Sequence, residues 1–189
     1  MRGLRPLLLI IALLARSGPT NALEQLLALD AERSSATFEV KVLYIIGVRG
    51  DFGSVHGTLR ADQVSASVDA TIDTNAVHMR NRHYESWAKS AEFFDGEHFP
   101  QIHFASEPFP LQRLTDGGEI SGTLTIRGIR QPALFTLAPA ECAAPLSGAC
   151  AVSASGTIRR SDFGMRSRRG ALADKVDLSL SIFVRPRSS

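Results

Sequence analysis

Apolar and polar residues alternate along most of the chain from residue 28 onward. This period of two is typical of half-buried antiparallel strands, because successive side chains of a strand point to opposite faces of the sheet. The pattern is clearest in VSASVDATID at residues 64–73 and in VDLSLSIFV at residues 176–184. We count about eight such segments, which predicts an all-β fold.

Turn-forming residues separate these segments. Glycine-rich sequences at residues 47–53 and 116–118, and Gly128 followed by a proline, mark connections between strands. The one convincing helix runs from about residue 80 to residue 91, where apolar residues recur at three- and four-residue spacing. Short strands with one helical interruption favour a β-sandwich or a closed β-barrel over an α/β fold.

The first 22 residues have the pattern of a secretory signal peptide. Two early arginines precede the apolar stretch PLLLIIALLA, and Thr20 and Ala22 place small residues before a cleavage point. The alternative, an uncleaved membrane anchor, needs about 20 apolar residues to span a bilayer. We therefore predict a signal peptide over residues 1–22, one domain over residues 23–189, and a periplasmic or secreted mature protein.

The charge of the mature chain argues against a nucleic-acid partner. Cleavage after residue 22 changes the formal net charge from +2 to −1, because the leader carries three arginines and no acidic residue. A nucleic-acid-binding protein needs a basic face, which a mature chain of this charge does not offer as a whole. We expect no nucleic acid among its partners.

The two cysteines lie close together in the segment ECAAPLSGAC, as Cys142 and Cys150. In an exported protein such a pair is bridged more often than free, and closing so short a loop contributes roughly 2 to 3 kcal/mol in the chain-entropy model. A CxxC redox motif is absent, and two thiols alone make a poor zinc site. The pair predicts a disulfide that staples a loop.

Four segments occur in an order that resembles the YceI-like family of exported polyisoprenoid-binding proteins. They are VRGDFGSVHGTL (48–59), SAEFFDGEHFPQIHF (90–104), ISGTLTIRGIRQPALF (120–135) and GTIRRSDFGM (156–165). The resemblance covers roughly residues 27–185. The chain departs from the usual family pattern at Glu85, Trp87 and Ala88 in the helix and at Arg127, which leaves the lipid head group open.

The resemblance implies an eight-stranded antiparallel lipocalin-like β-barrel with one short helix and a long apolar cavity. That cavity would hold the prenyl chain of a quinone or a polyprenyl phosphate. Such a protein binds or carries a lipid, is not an enzyme and needs no cofactor, although a bound prenyl lipid or quinone is expected. A homodimer is a further expectation from the family.

Ten aromatic and aliphatic residues are the candidate lining of this cavity. They are Phe38, Val40, Val42, Val68, Ile72, Trp87, Phe93, Phe94, Phe104 and Ile126. A barrel of about eight strands is wide enough either to be filled by its side chains or to enclose one slender ligand. The alternative is that these residues form an ordinary core, because aromatic burial is favourable without a ligand.

The segment IRRSDFGMRSRRG at residues 158–170 is a second candidate site. We predict that Arg159 and Arg160 bind a phosphate-containing head group by charge-assisted hydrogen bonds, with Phe163 and Met165 beside them. The alternatives are a solvated loop or transient contact with an anionic membrane surface. Gly164 is expected to permit a tight turn.

The histidines do not predict a metal site or a catalytic site. His78 and His83 are five residues apart, and His98 and His103 flank Pro100, so neither pair has the i, i+4 spacing of a helical zinc site. No GxSxG nucleophile motif is present. Two alternatives to a lipid carrier remain: a small exported hydrolase or isomerase acting on a lipid, and a ligand-free stress-related structural module.

Overall fold

The computed structural model of the protein describes residues 24–185. Twelve strands of this part form one antiparallel sheet. The strands are β1 (Gln25–Ala28), β2 (Ser35–Val42), β3 (Ile46–Phe52), β4 (His56–Ala61), β5 (Ser65–Asp73), β6 (Val77–Met79), β7 (Gln101–Ser106), β8 (Phe109–Pro110), β9 (Gly118–Ile126), β10 (Ile129–Leu137), β11 (Val152–Arg159) and β12 (Leu172–Ile182). Their order across the sheet is β1-β4-β5-β7-β9-β10-β11-β12-β2-β3-β6, and β8 pairs with β5.

The all-β barrel architecture is confirmed, with more strands than expected. Nine of the described strands contain six or more residues, against about eight predicted. The three remaining strands, β1, β6 and β8, contain four, three and two residues. Strands this short do not show enough alternation to be recognised in the sequence.

The sheet curls into a half-barrel, and the chain after β1 joins its two sides at one end. Leu29 forms an isolated antiparallel bridge with Val184, beyond the end of β12. The Asp30 N–H donates to the Phe183 carbonyl at 2.8 Å, and the Leu29 N–H donates to the Gly57 carbonyl at 2.9 Å. These hydrogen bonds connect β4 to the end of β12, so the inner faces of the strands surround a common space.

Two α-helices interrupt the described strands, where one was predicted. The first, α1 (Arg82–Lys89), is close to the predicted range, and the Asn81 side chain caps it by accepting a hydrogen bond from the His83 N–H at 2.8 Å. The second, α2 (Arg113–Asp116), is a single turn. Four residues are too few for a helical period to be visible in the sequence.

The predicted disulfide between Cys142 and Cys150 is confirmed. It closes part of the connection between β10 and β11, and the two Cα atoms are 6.0 Å apart. The Arg33 guanidinium donates to the Gly148 carbonyl within this loop at 3.0 Å. The disulfide therefore stabilises a loop at one end of the barrel. This is the end at which Leu29 and Asp30 connect β4 to the end of β12.

Two sequence predictions include residues outside the range that the structure describes. The predicted signal peptide, residues 1–22, lies outside the described residues. Residues 23 and 186–189 of the predicted domain lie outside them as well. No helix between residues 24 and 185 combines the length and the apolar character needed to cross a bilayer.

Candidate functional site

The inner faces of the strands surround an apolar cavity of about 520 Å³. Inward-facing Leu178, Leu180 and Ile182 of β12 line it and are only half-buried. A filled barrel would bury such side chains fully, because interiors pack to high density. The half-buried inner side chains indicate an open interior, and its volume lies within the range of about 300 to 1,000 Å³ typical of small-molecule sites.

One end of the cavity is closed by buried apolar side chains. Five lining residues at that end are at most 5% exposed: Leu29, Val55, Leu114, Leu137 and Val184. They come from distant parts of the chain that meet where β1 and β12 are joined. The cavity is therefore closed at this end.

The opposite end forms the mouth of the cavity. Among the described lining residues, only His83 and Arg168 are exposed. The strand register brings the β2–β3 turn, the β9–β10 turn and the β11–β12 connection to this same end. The cavity mouth, defined by His83 and Arg168, is thus built from connections rather than from strands.

Most of the predicted ligand-binding residues line the cavity, and their contact with a ligand stays a prediction. The twelve that line it are Phe38, Val40, Val42, Val68, Ile72, Trp87, Phe93, Phe94, Phe104, Ile126, Arg160 and Met165. The strand residues among them are there because each alternation places its apolar face inward. The exceptions are Arg159 and Phe163.

Arg159 and Phe163 do not line the cavity, although the sequence placed them among the ligand-binding residues. Arg159 is exposed on the outer face, because Ile158 takes the inward position in β11 and the next side chain points outward. Phe163 is 2% exposed and belongs to the hydrophobic core without lining the cavity. It lies in a 3₁₀ turn, residues 160–163, where the strand alternation no longer applies.

Arg160 lines the cavity, but its guanidinium holds the β11–β12 connection together. Nε donates to the Ala173 carbonyl at 2.9 Å, Nη1 to the Met165 and Ser167 carbonyls at 2.5 and 2.9 Å, and Nη2 to the Leu172 carbonyl at 3.1 Å. These bonds use four of the five N–H donors of the side chain. Burial lowers the pKa of Arg160. These contacts give Arg160 a structural role and leave one N–H donor for the predicted head group.

A carboxylate fixes the start of the same turn. The Asp174 side chain accepts hydrogen bonds from the Ser161 N–H at 2.9 Å and from the Ser161 hydroxyl at 2.8 Å. Burial raises the pKa of Asp174, but these hydrogen bonds and the nearby Arg160 charge outweigh it and hold the pKa below its usual value. Gly164 ends the turn with a φ of 77°, as expected for a tight turn.

Arg168 is the arginine of this segment that reaches the cavity mouth. Its guanidinium carbon lies 3.8 Å from the centroid of the Trp87 ring, and its Nε lies 3.5 Å from a carboxylate oxygen of Glu92. The His83 ring also contacts Trp87, with 4.5 Å between the ring centroids and a tilt of 47° between the ring planes. Sequence reasoning identified the basic segment but did not select Arg168, because its five arginines carry the same local signal.

The double phenylalanine closes the barrel beside α1. Phe94 meets Phe38 and Phe52 edge to face, each at 5.6 Å between ring centroids. Arg127 donates to two carbonyls of the segment after α1, including that of Phe93 at 2.7 Å. Both phenylalanines therefore pack against the barrel and also line the cavity.

Three of the five histidines each form a pair with a single carboxylate. Among residues 24–185, no three His, Cys, Asp or Glu side chains come together as metal ligands. The hydrogen bond with Asp95 raises the pKa of His98. The pairs are His78–Glu85 (3.8 Å), His98–Asp95 (2.8 Å) and His103–Asp69 (3.1 Å).

The protein-family model of the YceI-like domain matches residues 27–184 of the chain. The chain belongs to this family. A relative named protein YceI, from Salmonella newport, is 27% identical over 178 residues, which cover 92% of each chain. The family resemblance read from the four segments is thus confirmed.

Solved YceI-like structures share the fold at low sequence identity. The crystal structure of Burkholderia cenocepacia BcnA matches with a TM-score of 0.66 and 20% identity, covering 82% of this chain and 98% of that one. A polyisoprenoid binding domain from Saccharophagus degradans, implicated in plant cell wall breakdown, matches with a TM-score of 0.63 and 14% identity, covering 85% and 98%. At these identities the likeness establishes the fold of this YceI-like protein.

Proposed function

We propose that this YceI-like protein binds a polyisoprenoid lipid, a prenyl quinone or a polyprenyl phosphate, and carries it with the prenyl chain buried in the barrel. The observation that carries the proposal is the cavity of about 520 Å³, apolar throughout its depth and open beside His83 and Arg168. The similar structure of a polyisoprenoid binding domain supports the same ligand class.

The cavity volume sets the length of chain that it holds. At about 30 Å³ for a group the size of a water molecule, it has room for roughly 15 to 20 such groups. That corresponds to about three or four five-carbon isoprene units. A longer prenyl chain would leave its remaining units outside the barrel.

Burial of the chain accounts for useful affinity without any catalytic group. Each buried methylene-sized group contributes about 0.8 kcal/mol, so three isoprene units contribute on the order of 12 kcal/mol. Association and ordering costs of at least about 4 kcal/mol reduce this gain. The remainder, at most about 8 kcal/mol, corresponds to a dissociation constant of roughly 1 μM or weaker.

Polar groups at the cavity mouth suit a head group. The Arg168 guanidinium is held against Trp87 and near Glu92, and it is exposed beside the opening. A guanidinium donates hydrogen bonds to phosphate oxygens, and it also donates to carbonyl oxygens such as those of a quinone. We assign Arg168, in place of Arg159 and Arg160, as the arginine that contacts the head group.

We propose that the protein acts after export, in the periplasm or outside the cell, following removal of residues 1–22. The leader pattern and the Cys142–Cys150 disulfide support this location, because disulfides persist in oxidising compartments. A lipid with a prenyl tail needs a carrier there, because its apolar surface is poorly soluble in water.

The proposal is tested by ligand extraction and by titration. The purified mature protein is extracted with organic solvent for mass spectrometry, and the stripped protein is titrated with prenyl alcohols, prenyl diphosphates and quinones of increasing length. Trp87 is the sole tryptophan and lines the cavity, so its fluorescence reports binding. Affinity should rise with chain length up to about three or four units and then level off, as the cavity is filled.

Each outcome separates the carrier from its alternatives. A stoichiometric prenyl lipid in the extract, with the expected length dependence, supports the carrier. Chemical turnover of an added prenyl lipid would instead indicate an enzyme. A ligand-free protein that binds none of the series would indicate a structural module and refute the proposal.

A further inference from the structure

Four consecutive large apolar residues are exposed at the turn between β2 and β3. This apolar tip consists of Leu43, Tyr44, Ile45 and Ile46, which are 58%, 60%, 80% and 54% exposed. Single exposed apolar residues are normal on a protein surface, whereas contiguous ones mark a binding surface. The apolar tip therefore calls for a partner that covers it.

The backbone conformation of the apolar tip is unfavourable for two of its own residues, Leu43 and Tyr44. The Ile45 N–H donates to the Val42 carbonyl at 3.2 Å, which makes Leu43 and Tyr44 the two central residues of a β-turn. Both have left-handed backbones, with φ of 49° and 63°. Asn-Gly suits such a turn, while bulky side chains are unfavourable there. Two apolar side chains are thus present at a cost to the hairpin.

Hydrogen bonds attach the apolar tip to the arginine-rich β11–β12 connection. The Leu43 N–H donates to the Ala171 carbonyl at 2.7 Å, and the Tyr44 hydroxyl donates to the Arg169 carbonyl at 3.0 Å. Arg166 and Arg169 are exposed, and no carboxylate of residues 24–185 lies within 4.0 Å of either guanidinium. Apolar side chains and uncompensated positive charge therefore stand side by side.

This combined surface lies at the cavity mouth. Val42 directly precedes the apolar tip, and Leu172 follows the arginines. These two residues are paired in the sheet, and both line the cavity. Arg168, between Arg166 and Arg169 in sequence, is itself exposed at the mouth. A partner that covers the apolar tip therefore also faces the opening.

We propose that the apolar tip, with Arg166 and Arg169, docks the cavity mouth onto a bilayer that contains anionic phospholipids. The apolar side chains enter the boundary of the acyl chains, and the arginines attract the lipid phosphates. Charge complementarity favours an anionic bilayer over a second copy of this chain, which would bring like charges together. Docking itself is independent of the proposed function. Docking would also let a prenyl tail pass into the cavity without crossing water, and this consequence rests on the proposed function.

The test measures cosedimentation of the mature protein with vesicles free of prenyl lipid. The vesicles are phosphatidylcholine alone, or phosphatidylcholine with about 30% phosphatidylglycerol. Binding should require the anionic lipid and weaken with salt. Replacing both Arg166→Gln and Arg169→Gln should weaken it on the order of 20-fold, at roughly fivefold for each charge near the surface.

The apolar tip is tested by variants that separate docking from folding. The double variant Leu43→Asn/Tyr44→Gly creates the preferred turn, so thermal stability should stay or rise while vesicle binding falls at least tenfold. Ile45→Ser keeps the turn and the Tyr44 hydroxyl, and it should weaken binding severalfold. Val64→Ser is the matched control, because Val64 is 75% exposed at the turn between β4 and β5, away from the mouth.

The outcomes distinguish this proposal from the proposed function. Prenyl-lipid uptake by a protein that does not bind anionic vesicles overturns docking and leaves the carrier intact. Vesicle binding that the tip variants leave unchanged also overturns it. Loss of dimers, rather than of vesicle binding, in the Leu43→Asn/Tyr44→Gly variant would assign the apolar tip to a second copy of the chain. Vesicle binding without prenyl-lipid uptake supports docking and refutes the carrier.

Discussion

Filling part of the cavity from within should weaken lipid binding strongly without harming the fold. Ala154 lies on the inner face of β11, where the register pairs it with Leu137 of β10 and Leu180 of β12. All three side chains line the cavity. In the variant Ala154→Phe, the new ring would project into the cavity near its closed end, where Leu137 also lies.

The magnitude follows from the volume that the ring occupies. A benzyl group displaces about one isoprene unit, whose five carbons contribute on the order of 4 kcal/mol when buried. At 1.4 kcal/mol for each factor of ten, the dissociation constant should rise by roughly 10² to 10³. The free energy of unfolding should stay the same or increase, because the ring leaves water for an apolar space.

The assay combines titration with a prenyl ligand, followed by Trp87 fluorescence, and urea denaturation of the same protein. The control is Ser155→Phe, which places the same ring on the exposed outer face of β11. A loss of about 1 to 3 kcal/mol of stability in Ala154→Phe would indicate overpacking of a filled interior and refute the cavity. If Ala154→Phe is stable and binds the prenyl ligand with unchanged affinity, the prenyl chain does not lie in this part of the cavity.

Three further predictions concern the supports of the site. Arg160→Lys should lower the free energy of unfolding by about 2 to 4 kcal/mol in urea denaturation, because an ammonium leaves buried carbonyls without donors, while Arg159→Lys should change it little. Replacing Cys142 and Cys150 together by serine should cost about 2.5 kcal/mol of stability, and altered prenyl affinity would contradict a purely structural loop. A hydrogen bond from a backbone N–H of β6 holds the pKa of Glu85 below its usual 4.5. The ionised Glu85 carboxylate therefore stabilises the folded protein fully above pH 4.5, and this stabilisation is lost as the pH falls through the lowered pKa. Melting temperatures between about pH 3 and 6 should therefore fall less steeply for Glu85→Gln, and parallel curves would contradict this.

The alternation of side chains determined much of the candidate site. Residues such as Phe38, Phe104 and Ile126 are assigned to the inner face by sequence, because a strand has only two faces and one of them is apolar. The same rule, applied to Ile158, places Arg159 outside. The sequence order of the four family segments indicated the barrel as a whole.

Tertiary structure decided whether the inner space is open and which arginine reaches it. Two barrels with equally apolar inner faces differ in whether their side chains meet across the middle, and that depends on the curvature of the sheet and the sum of side-chain volumes. Arg160 and Arg168 have similar sequence surroundings, yet one is buried among carbonyls and the other lies on Trp87. Turn geometry between residues 160 and 172 makes that difference, because non-repeating backbone angles remove the periodicity by which a sequence predicts where side chains point.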